Sequence, residues 1–221
     1  MQGNRRHFIA LAAAMVAGHT APLRAQDKPK GSTLLVLGDS LSAEYGLARG
    51  TGWVALLEQR LAQHQLPVHV ANASISGETT AGGRSRLPSL LKRYQPHYVL
   101  IALGSNDALR GLSLSSTTEN LRLMLQACQE SGAQRLLVGM QMPPNYGAAY
   151  ARDFAQMFDT VAQETRTALV PFLLKGVADA PNAVSLFQAD RLHPNAQAQP
   201  QMLDNVWPAL AKVLNARPAK A

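Results

Sequence analysis

Thr33-Leu34-Leu35-Val36-Leu37-Gly38-Asp39-Ser40-Leu41-Ser42 joins an uncharged apolar run to a polar turn. A short run of this kind, closed by a glycine, is the pattern of a strand buried on both faces. Strands buried on both faces belong to parallel sheets covered by helices. The run therefore predicts a buried strand that delivers Asp39 and Ser40 at its carboxyl end.

The rest of the chain repeats the alternation. Residues 52–64 carry Trp53, Leu56, Leu57 and Leu61 at helical spacing. A second strand is expected over 67–70 and a short helix over 87–94. The clearest central strand covers 97–103. A helix follows over 116–130, with Thr117 or Thr118 as its cap. The next strand covers 135–140, and Pro143-Pro144 then forbid an immediate helix. A helix over 148–167, a last short strand over 168–172 and a final helix over 201–214 complete the pattern. Pro208 is expected to kink or interrupt that last helix. Strands alternating with helices imply an α/β fold with a parallel sheet covered on both faces. Ligands in such sheets bind beyond the carboxyl ends of the strands. Three polar clusters follow strands in this way: Gly38-Asp39-Ser40, residues 72–77 and Gly104-Ser105-Asn106-Asp107.

Far downstream stands Asp190-Arg191-Leu192-His193-Pro194. Serine is a weak nucleophile at neutral pH. It needs an imidazole to take its proton, and the imidazole needs a carboxylate to fix its tautomer. Of the six histidines, only His193 has an aspartate three residues before it and a proline after it. Pro194 disfavours helical geometry at His193, so a tight turn can bring Asp190 to the ring. Gly77 and Asn106 are candidate oxyanion donors. A glycine lets substrate approach its backbone, and an asparagine offers an NH₂ without acidity. Read alone, Ser40 is better explained as a turn or capping serine, and a turn or capping role is reasonable for Gly77 and for Asn106.

The chain has 221 residues, 47% hydrophobic and 16% charged, which suits one packed domain and excludes wholesale disorder. Residues 1–25 read as an export segment. Arg5, Arg6 and His7 are basic, residues 8–17 are apolar and alanine-rich, and cleavage is expected after Ala25. The apolar stretch is too short to span a membrane. Asn4-Arg5-Arg6-His7-Phe8-Ile9 resembles a twin-arginine signal, with general secretion as the alternative route. The expected location is therefore the periplasm or the exterior. A polar linker over 26–32, one domain over 33–217 and a tail over 218–221 complete the expected organisation.

Removing residues 1–25 lowers the formal charge from +7 to +4, because Arg5, Arg6 and Arg24 leave and no acid does. The remaining basic residues are scattered, which excludes a nucleic-acid stripe and suits transient contact with an anionic membrane surface. The single cysteine, Cys128, rules out an internal disulfide and reads as a buried small hydrophobe. No cysteine–histidine spacing suits a metal.

Taken together, Gly38-Asp39-Ser40-Leu41-Ser42, Gly77, Gly104-Ser105-Asn106-Asp107 and Asp190-Arg191-Leu192-His193-Pro194 resemble the four blocks of the GDSL, or SGNH, hydrolases. Segments 72–77, 87–91 and Pro144-Asn145-Tyr146-Gly147 resemble the branch that combines thioesterase, protease, lysophospholipase and arylesterase activities. The resemblance implies a three-layer α/β/α, flavodoxin-like fold and no metal or organic cofactor. It implies Ser40 as nucleophile, His193 as base and then acid, and Asp190 as orienting carboxylate. The oxyanion hole would be Ser40 N–H, Gly77 N–H and the Asn106 side chain. Residues 107–112 would form a mobile loop that responds to acyl chains. Asp39, Leu41, Ile75, Asp107, Leu109, Leu112 and Met142 are the expected substrate-binding residues. Acyl esters, thioesters and lysophospholipids are the expected substrates, and nothing demands more than a monomer. Two positions depart from the family. Glu44 and Arg191 stand where glycine is common; Glu44 would make the acyl entrance more acidic, and Arg191 either favours anionic headgroups or faces solvent. A carbohydrate O-acetyl esterase of the same fold and a non-catalytic flavodoxin-like binding module remain alternatives.

Overall fold

The structure is a computed structural model that describes residues 31–215. The expected export segment, most of the expected linker and the expected tail lie outside the described residues. Among the described residues no helix is long and apolar enough to cross a membrane.

Five strands form one parallel sheet in the order β2-β1-β3-β4-β5. They are β1 (Ser32–Gly38), β2 (Val68–Asn72), β3 (Tyr98–Ala102), β4 (Gln134–Val138) and β5 (Ala168–Val170). The alternation of side chains along β1 divides the core. Leu34 and Val36 face α1 (Trp53–Gln63) and α6 (Gln199–Asn215), where they meet Trp53, Leu57, Val206 and Leu210. Leu35 and Leu37 face α2 (Thr80–Tyr94), α4 (Leu114–Glu130) and α5 (Ala148–Glu164), where they meet Leu87, Leu121, Phe154 and Phe158. This is the expected three-layer α/β/α fold. Cys128 is buried in the second layer, and burial pushes its thiol up to about 12, which leaves it without thiolate character.

Sheet order reverses at β1 and β3. From β1 the chain steps outward to β2, and then returns to β3 on the other side of β1. Crevices form at the carboxyl ends of strands at such a switch point. Gly38 and Ala102 end these two strands in register. Asp39-Ser40 and Gly104-Ser105-Asn106 therefore emerge side by side.

Several boundaries differ from the sequence expectation. Helix α2 begins at Thr80 rather than 87, because the Thr79 hydroxyl caps it by accepting from Gly82 N–H. Gly82, Gly83 and Pro88 disguise the helix in sequence. Gly83 is required there, since a Cβ would fall 2.4 Å from Leu103 Cδ1. Helix α4 is capped by Ser113, which accepts from Ser116 N–H. Thr117 and Thr118, the expected caps, instead donate their hydroxyls to the carbonyls of Ser113 and Leu114. Helix α6 runs through Pro208 as one element. It starts at Gln199, whose buried side chain accepts from Trp53 N–H and donates to Asn195 O.

A short helix, α3 (Ser105–Leu109), stands where a polar loop was expected. It carries Asp107 inward. The Asp107 carboxylate accepts from Thr80 N–H at 2.9 Å, from Thr80 Oγ1–H at 2.5 Å and from Thr117 Oγ1–H at 3.3 Å. The side chain ties α2, α3 and α4 together and is buried away from the site where substrate binding was expected of it. Removing it leaves buried donors unsatisfied. Asp107→Ala should lower stability by about 2–4 kcal/mol, read as a lower urea midpoint at unchanged slope. A variant as stable as the wild type would refute this role.

Candidate active site

The turn after β1 is built to present Ser40. Asp39 O accepts from Ser42 N–H and Ala43 N–H, which reverses the chain at once. Neighbours clamp the turn: Gly38 O accepts from Ile75 N–H, Ser42 O from Asn72 Nδ2, and Leu41 O from Trp53 Nε1. Gly38 has to be glycine, since a Cβ would fall 2.7 Å from Ser42 Oγ.

The second half comes from residues 187–194. Phe187 and Pro194 form an antiparallel bridge, and Gln188 N–H donates to His193 O. Arg191 adopts a positive φ of 57° at the tip of this turn. The turn aims the Asp190 carboxylate at its own C-terminal neighbours. Oδ1 accepts from Leu192 N–H at 2.9 Å and His193 N–H at 3.0 Å, and Oδ2 lies 2.7 Å from His193 Nδ1. His193 Nε2 lies 2.9 Å from Ser40 Oγ. The hydrogen bonds from the His193 and Leu192 amides, followed by that from the imidazole, hold the Asp190 carboxyl down at about 2. It therefore stays ionised at neutral pH.

Asn106 lines the same cavity as Ser40, whereas Gly77 lies in the turn between β2 and α2 and is not among the cavity's lining residues. Gly104, at φ 125°, turns the chain from β3 into α3 and so places Asn106 beside Asp39. Asn106 Nδ2 donates to Asp39 Oδ2 at 3.3 Å, and Leu41 N–H donates to Asp39 Oδ1 at 3.0 Å. Gly77 has φ 78°, and its carbonyl accepts from Arg110 Nη2 at 2.7 Å. Neither the Ser40 nor the Gly77 amide has a backbone or side-chain acceptor among the described residues. The Ser40 amide, in a residue that lines the cavity, is therefore available to a ligand oxygen.

A cavity of about 470 Å³ opens beside Ser40. Leu41, Leu109, Met140, Met142 and Phe172 give it an apolar wall, and Asp39, Asn106, Arg191 and His193 also line it. Of the expected substrate-binding residues, Asp39, Leu41, Leu109 and Met142 are there. Ile75, Leu112 and Asp107 are not. Ile75 and Leu112 are exposed outside the cavity, and Asp107 is turned into the helix junction. Glu44 does not reach the acyl entrance either. Its carboxylate accepts from Gly50 N–H and Gly52 N–H, which staples the loop before α1.

Sequence reasoning missed two groups. Tyr45 stacks on the His193 ring with centroids 4.4 Å apart, and Gln188 Nε2 donates to Tyr45 O and Pro194 O. Residues 172–187 supply Phe172, Leu174, Val184 and Phe187 to the cavity wall. The segment is mostly irregular, so no hydrophobic period announces it.

With this geometry in place, comparison with known proteins is direct. The profile of the GDSL-like Lipase/Acylhydrolase family matches residues 36–199, and the chain belongs to that family. Esterase TesA of Pseudomonas aeruginosa is 46% identical over 202 residues, covering 91% of this chain and 99% of that protein. Thioesterase 1/protease 1/lysophospholipase L1 of Escherichia coli is 40% identical over 183 residues, covering 83% of this chain and 85% of that protein. The crystal structure of TesA superposes with a TM-score of 0.79 at 49% identity, covering 82% of this chain and 99% of that one.

Asp39 is the electrostatic counterpart of Asp190. Burial pushes its carboxyl up to about 6 from the usual 3.8, against the opposing pull of the Leu41 amide and His193. A carboxyl raised on folding binds more protons in the native state than in the unfolded chain, so stability falls as pH rises between the two values. The wild type should lose about 3 kcal/mol from this source between about pH 4 and pH 6. Asp39→Asn should lack that component. Urea denaturation at four pH values across this window reads it, and parallel pH profiles for the two proteins would contradict it.

Proposed function

We propose that the protein is an acyl hydrolase that cleaves carboxylic esters and thioesters through an acyl-enzyme on Ser40. The observation that carries this reading is the continuous relay from Asp190 to His193 Nδ1 and from His193 Nε2 to Ser40 Oγ, at 2.7 and 2.9 Å. Family membership and relatives named for esterase, thioesterase and lysophospholipase activities support it.

In the mechanism, Ser40 Oγ attacks the acyl carbon while its proton passes to His193 Nε2. Ionised Asp190 holds Nδ1–H and stabilises the imidazolium that forms. The carbonyl oxygen becomes an oxyanion, met by Ser40 N–H, Gly77 N–H and Asn106 Nδ2. Asp39 orients this last donor through its hydrogen bond to Nδ2. The imidazolium then protonates the leaving oxygen or sulfur, and the acyl group stays on Oγ. Water repeats the sequence with His193 as base, releasing the acid and restoring Ser40.

The apolar wall of the cavity suits an aliphatic or aromatic acyl group better than a sugar ring, which needs many polar partners. Fatty-acyl thioesters, aryl or short-chain esters and lysophospholipids are the substrate classes we assign. Amide bonds have poorer leaving groups and are a minor substrate. The basic and apolar pattern of residues 5–25 supports export to the periplasm or beyond.

Ser40→Ala should abolish turnover of a p-nitrophenyl ester and labelling by a fluorophosphonate probe, while the melting temperature stays near wild type. Retained hydrolysis in the purified variant would reject Ser40 as nucleophile. Asn106→Ala should lower kcat by roughly 10²–10³, the usual loss for one oxyanion donor. A change confined to KM would instead make Asn106 a ground-state binding residue.

A further inference from the structure

We propose that Arg191 selects substrates whose leaving group carries a phosphate anion, which its guanidinium receives at the mouth of the cavity. The proposal rests on the acyl-hydrolase reading and narrows its substrate class.

The backbone is the first reason. Arg191 sits at φ 57°, a region that glycine enters freely and other residues enter at a cost. Four other described non-glycine residues have positive φ, and each has a local reason. Gln65, Gln95 and Arg166 follow the last turns of α1, α2 and α5, where a left-handed residue closes a helix. Glu44 is held by its carboxylate bonds to the Gly50 and Gly52 amides. Arg191 closes no helix, and its guanidinium has neither a hydrogen bond nor an ion pair among the described residues. Local structure offers arginine nothing there that glycine would lack.

Position is the second reason. His193 hands its proton to the departing atom, so the leaving group lies on the imidazole side of the site. Arg191 stands two residues before His193 in the same turn and lines the cavity with it. Charge is the third. Among the residues lining the cavity, Arg191 is the one exposed side chain with a fixed charge, since Asp39 is buried and His193 is engaged with Asp190 and Ser40. An apolar wall with one unengaged guanidinium at its rim fits an amphiphile with an acyl tail and an anionic head. The guanidinium fork matches phosphate oxygens in two parallel bonds. Coenzyme A and a lysophospholipid headgroup both present such a phosphate.

The test compares kcat/KM at one acyl length for acyl-coenzyme A, monomeric lysophosphatidylglycerol, a monoacylglycerol and a p-nitrophenyl ester. Arg191→Gln should lower the ratio of phosphate-bearing to neutral substrates about five- to tenfold, chiefly through KM, as expected for one partly solvated charge-assisted contact. The same ratio should lose most of its salt dependence. Arg191→Lys should recover part of the loss. Arg191→Gly should show the same loss while its melting temperature is unchanged or about 2 °C higher, because the backbone strain leaves with the side chain. A loss on one phosphate-bearing substrate alone identifies which source the site serves. Equal losses on neutral and phosphate-bearing substrates, or none on either, overturn the proposal. A wild-type protein that hydrolyses no neutral ester and resists fluorophosphonate labelling overturns the acyl-hydrolase reading, and this proposal with it.

Discussion

A hydroxyl and an imidazole 153 residues apart in the chain lie 2.9 Å apart in space, and the rest of the molecule serves that contact. No local structure can close such a loop. The sheet does it by placing β1 at the switch point, where a strand buried on both faces ends at an open crevice. Helix α6 starts beside that edge, directly after the turn that carries His193, and ends near the start of β3, where its Leu214 carbonyl accepts from the Tyr98 hydroxyl. Gln199, at its first residue, hydrogen-bonds the first amide of α1 and the carbonyl of Asn195. The turn holding His193 is thereby fastened to the helix that follows Ser40.

Strand centres were legible in the sequence because double-sided burial leaves no polar residue in them. Leu34 to Leu37 and Val99 to Ile101 are nearly fully buried. The start of α2 was not legible, because Gly83 is present for its close approach to Leu103 and reads as a loop residue when seen alone. The residues of the proposed relay were legible for a different reason. Each stands in a short motif whose local geometry is complete within a few residues, as Asp190 and His193 show. Pocket walls have no such locality. Phe172, Leu174, Val184 and Phe187 come from a largely irregular segment, and only the tertiary fold brings them to Ser40.

Nearness to a motif also misled the assignment of substrate contacts. Asp107 follows Asn106, yet successive residues of a helix point about 100° apart. One therefore reaches the site and the other the junction of α2 and α4. Ile75 donates its amide to Gly38 O, so its backbone supports the nucleophile turn while its side chain faces solvent. Glu44 was misread through its charge. Its carboxylate caps two backbone amides, and those bonds keep a non-glycine residue at positive φ.

The carboxyls of Asp39 and Asp190 have been driven in opposite directions, and the division bears on the roles proposed for them. Asp190 is exposed, and three hydrogen bonds to its ionised form hold it down at about 2, so it carries its charge against Nδ1 at neutral pH. Asp39 is closer to Ser40 in sequence, but burial raises it to about 6 and its oxygens are spent on the Leu41 amide and on Asn106. Its buried place suits a different task, in which a carboxylate fixes an amide side chain and needs no contact with solvent. In the mechanism proposed above, the two environments suit the distant aspartate to the orienting role and the adjacent one to positioning the amide donor.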